Sequence, residues 1–73
     1  MLILEDEKET QLIEKIIVRM DELGLSERII KVIVTTDLLP TNQHLEKMLI
    51  KLNSWNNPTD ELVLATALLI SKE

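Results

Sequence analysis

The chain has 73 residues, a net charge of −5 and 45% hydrophobic residues, with one His, one Trp, one Gly and no Cys, Phe or Tyr. This length allows one domain over residues 1–73, and the composition excludes disulfides, a catalytic thiol and a metal site built from thiolates or several imidazoles. A domain this short buries only about 60% of the surface its unfolded chain exposes, so it needs dense aliphatic packing or a second chain.

The 27 Leu, Ile and Val residues supply such packing and exceed what one small core encloses, which favours a homodimer or a tight complex with another protein. Charge is uneven: residues 1–27 hold eight acids and three bases, residues 28–58 two acids and four bases, and residues 59–73 three acids and one base. An acidic first third disfavours binding to nucleic acid. The longest apolar run, 62–70, is too short to span a bilayer, and residues 1–4 meet acid at Glu5 without a basic leader pattern. A soluble cytoplasmic protein that needs no cofactor is expected.

The first predicted helix covers residues 6–23. Its acidic start (Glu5, Asp6, Glu7, Glu9) suits the positive end of the helix dipole. Leu12, Ile13, Ile16, Ile17, Met20 and Leu23 recur at spacings of three and four as one apolar stripe. Arg19 falls with Gln11, Glu14 and Lys15 on the polar side. Gly24 ends the helix as a left-handed C′ residue, with Leu25 in the hydrophobic position of a Schellman motif.

Ser26 suits an N-cap for a second helix over 27–38. Ile29, Ile30, Val32, Ile33, Val34, Thr35 and Thr36 are β-branched, which argues for a strand instead. The only other candidate strand is at residues 2–4, and a two-stranded sheet is marginal alone. The short connection through Leu25 and the Glu27–Lys31 spacing favour the helix. Pro40 interrupts the chain, and Thr41 caps a third helix over 42–54, striped by Leu45, Met48, Leu49, Leu52 and Trp55. A fourth helix is predicted over 58–72, with Asn57 as N-cap, Pro58 at N1 and Asp60 at N3. Residues 62–70 are apolar almost all round, which suits the centre of a core or a dimer interface. The expected fold is all-α, a compact bundle of four short helices; the alternative is α/β with strands at 2–4 and 29–35.

Residues 20–33, with the turn Gly24, Leu25 and Ser26, resemble the helix-turn-helix of DNA-binding regulators. The resemblance implies a dimeric regulator whose second helix enters the major groove, with Glu27, Arg28, Lys31 and Thr35 as reading residues. Met20 departs from that family, where a small residue lets the helices approach, and Ile29 stands where Thr or another small residue is common. Two bases beside an acid also make a weak footprint for DNA.

No pairing of nucleophile with base, and no phosphate-cradling loop, is visible, so an enzyme is not expected. His44, in the first turn of the third helix, reads as a surface or capping residue. The expected role is that of a small regulatory or interaction protein, of adaptor, anti-repressor, inhibitor or chaperone type. It would act through an apolar helical surface, with Leu2, Leu4, Ile30, Val34 and Trp55 as candidate interface residues.

Overall fold

The computed structural model describes residues 3–35 and 38–73, with side chains from Glu7 onward. It is all-helical: α1 (Ile3–Glu22), α2 (Glu27–Thr35), α3 (Asn42–Ser54) and α4 (Asp60–Ser71). Residues 3–4 and 29–35, which the alternative reading made strands, are helical. Leu2 lies outside the described residues. Among the described residues no helix is long and apolar enough to cross a membrane.

The β-branched run of α2 is helical because its apolar residues match a helix face better than a strand face. Ile29 and Ile33, one turn apart, are buried, while Ile30 and Val34 are half-buried beside them. A strand would place both of the buried pair on one face but would leave its backbone unpaired. Tertiary burial therefore outweighs local β-propensity. The helix is shorter than expected, since Leu38 and Leu39 lie in a turn, with Leu39 buried.

The α1–α2 joint is a Schellman turn. Gly24 has φ +77°, its N–H donates to the Asp21 carbonyl at 3.0 Å, and the Leu25 N–H donates to the Met20 carbonyl at 3.1 Å. Met20 and Leu25 are both buried, which supplies the hydrophobic contact of the motif. The Ser26 hydroxyl then accepts the Ile29 N–H at 3.3 Å, capping α2.

The helices form a ring of neighbours. α1 packs on α3 and α2, and α4 packs on the same two helices from the other side. Among the described residues the core is entirely hydrophobic, with Ile16, Met20, Ile33, Met48, Leu52 and Val63 among its fully buried side chains. Both Met20 and Met48 serve as core filler.

The start of α4 differs from expectation. Thr59, with φ −90° and ψ 160°, is the N-cap, and its hydroxyl accepts the Leu62 N–H at 3.1 Å. Asn57 and Pro58 therefore precede the helix, and Asp60 occupies its first position, where its carboxylate is free to reach Ser26. The Asp60 Oδ2 accepts the Ser26 hydroxyl at 2.7 Å, tying the starts of α2 and α4 together.

Two substitutions test these assignments. Nothing lies within 4 Å of a Cβ at Gly24, so Gly24→Ala meets only the backbone penalty of positive φ. Urea unfolding should show a loss of about 1 kcal/mol. Thr59→Ala should lose about 1 kcal/mol with its cap, whereas Asn57→Ala should leave the midpoint almost unmoved; the reverse ranking would restore the earlier cap.

Candidate interaction surface

α4 combines the most apolar sequence with one-sided burial. Val63, Ala67 and Ile70 face the core, at 0%, 0% and 4% exposure. On the opposite side Leu62, Leu68 and Leu69 stand in solvent at 44%, 42% and 66%. This run is therefore not the centre of the core within one chain. Its two hydroxyls are turned inward onto the helix: Thr66 donates to the Leu62 carbonyl at 2.9 Å and Ser71 to the Leu68 carbonyl at 2.8 Å. The outer face keeps Glu61 and Lys72 as its charged groups, both exposed.

Two further apolar side chains are exposed: Val18 on α1, at 56%, and Ile50 on α3, at 68%. Val18 stands on a ridge between two recesses. One, of about 390 Å³, runs between α1 and α3 and is lined by Val18, Leu49, Arg19 and Asn53. The other lies between α1 and α2, with Ile17, Val18 and Ile30 bordered by Asp21, Glu27 and Lys31. Ile50 borders a recess beside the last turn of α4, shared with Ile70 and Glu73.

Arg19 holds the α1–α3 wall in place. Its Nε donates to the Leu52 carbonyl at 3.2 Å and its Nη2 to the Trp55 carbonyl at 2.9 Å. Those carbonyls belong to the end of α3, where intrahelical partners run out and a cation is favoured by the helix dipole. Glu22 orients the guanidinium from one turn away, 3.4 Å from Nη1. Sequence reasoning put Arg19 on the outer face because its acceptors lie more than thirty positions downstream. Its place near the end of a helix gave no hint of which helix it would cap.

At the other end of α3, Thr41 accepts the His44 N–H at 3.2 Å, and its hydroxyl lies 2.7 Å from His44 Nδ1. Thr41 is thus the N-cap, and His44 is the residue it caps, with its half-buried ring against the Thr41 hydroxyl. Lys47 pairs with Glu73 across α3 and α4 and holds the Glu73 carboxyl below its ordinary value, mainly by hydrogen bonding and then by charge. Any stability this pair contributes is present at neutral pH and is lost as pH falls through the folded value. Both side chains are solvated, so that contribution is small.

The interface residues expected from sequence are distributed unevenly. Ile30 and Val34 are half-buried against α1, where Val34 lines a separate recess with Ile13, Ile33 and Leu39. Trp55 is half-buried against the core at the α3 C-cap and joins neither recess. Leu4 belongs to α1, while its side chain, like Leu2, lies outside the described residues. Val18 and Ile50 were not among the expected residues, and Leu62, Leu68 and Leu69 were expected only as part of the run 62–70, without being singled out. These residues differ from core aliphatics only in helix phase, which requires knowing where each neighbour packs.

Glu27, Arg28, Lys31 and Thr35 share the exposed side of α2. The Thr35 hydroxyl is turned back onto the Lys31 carbonyl, and Arg28 lies in a recess that also contains Asp60. Among the described residues no group of three or more His, Asp or Glu is placed to hold a metal ion. Compared with protein-family models, with curated proteins and with solved structures, the chain matches none.

Arg19→Met should remove the clamp, taking the donor from the Trp55 carbonyl and leaving the Leu52 carbonyl with the Trp55 N–H alone. Equilibrium unfolding should show a loss of about 2 kcal/mol. Arg19→Lys should recover little of it, because a single ammonium lacks the fork that reaches both carbonyls. Full recovery by Lys would mean that charge alone matters.

Proposed function

We propose that this chain is a small non-enzymatic regulatory protein of the cytoplasm that works by presenting apolar helical surface to a protein partner and to itself. Adaptor, anti-repressor, inhibitor and chaperone roles all share that physical mode. The observation that carries this reading is the exposure of Val18, Ile50, Leu62, Leu68 and Leu69, all between 42% and 68%, on a domain whose core is already filled by other aliphatics. Of these, Leu62, Leu68 and Leu69 share the outer side of one helix, and apolar side chains grouped in that way are a feature of interaction sites, whereas single ones such as Val18 and Ile50 are ordinary on a surface.

The electrostatics support a protein partner over a nucleic acid. The recess beside Val18 and Ile30 is bordered by Asp21 and Glu27 against one Lys31, and α1 continues the acidic surface through Glu14 and Glu22. Such a border steers basic or neutral surfaces toward the apolar floor and repels phosphate. A second reading is favoured by one observation: Arg28, Lys31 and Thr35 share the outer side of α2, directly after the Gly24 turn. In that reading the protein is a dimeric helix-turn-helix regulator of DNA.

One pair of measurements separates the two. A photo-crosslinking residue at Val18, Ile50 or Leu69, introduced in the source cell, should yield discrete protein adducts that the same residue at Gln43 does not. Diffuse or absent adducts at all three positions would count against the interaction reading. Duplex binding at physiological salt, abolished by Arg28→Ala with Lys31→Ala, would establish the DNA reading instead.

A further inference from the structure

We propose that the outer face of α4 seats a second copy of this chain, packed antiparallel about a two-fold axis between the levels of Ala65 and Leu68. The proposal rests on the interaction reading above and names the surface used for self-association. Positions 61, 65, 68 and 72 follow one another at spacings of four, three and four, the phase of a helix–helix seam. All four are exposed, as are Leu62 and Leu69 beside them.

The ends of this seam select the partner. Glu61 stands at the N-terminal end and Lys72 at the C-terminal end, and neither side chain has a hydrogen bond or ion pair among the described residues. A two-fold axis across the helix brings each Glu61 to the partner's Lys72, twice per dimer, since an isologous contact repeats every pair. A parallel arrangement would set acid against acid and base against base, a repulsion that disfavours it. The middle of the seam is complementary in size as well. The methyl of Ala65 lies opposite the partner's Leu68, so the axes can approach closely, while Leu62 and Leu69, seven residues apart on one flank, meet their counterparts along that side of the seam. Antiparallel alignment also opposes the two helix dipoles. With Thr66 and Ser71 bonded to their own helix, the seam leaves no hydroxyl to be stranded on burial.

The test is sedimentation velocity on the full chain at micromolar concentration, with circular dichroism as a check on folding. The wild type should sediment as a dimer. Leu62→Glu with Leu69→Glu, at positions already in solvent, should give a helical monomer. Glu61→Lys should weaken dimerisation about tenfold by placing like charges together at both ends, and adding Lys72→Glu should return the affinity to within about threefold of wild type.

A wild-type monomer overturns the pairing, and adducts at Val18 would still support the interaction reading. A dimer that survives Leu62→Glu with Leu69→Glu also overturns it, by placing self-association on another face. If the leucine variants lose helix, the charge pair decides alone: failure of Lys72→Glu to restore the Glu61→Lys variant overturns the antiparallel register.

Discussion

Arg19 reaches out of α1 to the carbonyls of Leu52 and Trp55, and much of the bundle depends on that crossing. The core formed by the described residues is wholly hydrophobic, and hydrophobic contact is non-directional: it rewards burial without specifying how far one helix slides along another. Register must then come from the polar groups at the helix ends. The Arg19 fork fixes α3 lengthwise against α1, and the Ser26–Asp60 contact fixes the start of α4 against the start of α2. The Gly24 turn links the two constraints, because it sets where α2 begins relative to the end of α1. Three small polar devices thus place four greasy helices.

How much of this was readable from the sequence follows from the range of each interaction. Local features were legible: the stripe Leu12, Ile16, Met20 and Leu23 is buried, Gly24 adopts positive φ, and Thr41 caps α3. The β-branched stretch of α2 was legible once the short connection before it was weighed against its strand propensity. The cap of α4 was misplaced by two residues, since Asn57 and Thr59 are both competent caps and the choice turns on where Asp60 finds Ser26. Non-local matters were not legible. Nothing near Arg19 in the chain announces its acceptors, and nothing in residues 62–70 says which leucines face inward.

That second point bears on the surface. A helix so rich in aliphatics would be expected in a small protein's centre, yet α4 is one of four helices in a ring and, among the described residues, packs on α2 and α3. One side is covered by α2 and α3 and the other meets water. The excess of Leu, Ile and Val noted in the composition is therefore not spread evenly. It is concentrated on α4, with smaller outcrops at Val18 and Ile50.

Trp55 has a use beyond packing. It is the sole aromatic residue of the chain, half-buried at the α3 C-cap, with its own carbonyl held by Arg19. Ultraviolet emission and near-ultraviolet dichroism therefore come from one indole, at the joint where α1 clasps α3. No Tyr or second Trp blurs that signal. Spectroscopically the molecule reports on a single hinge point, so opening at this corner can be followed separately from loss of helix elsewhere.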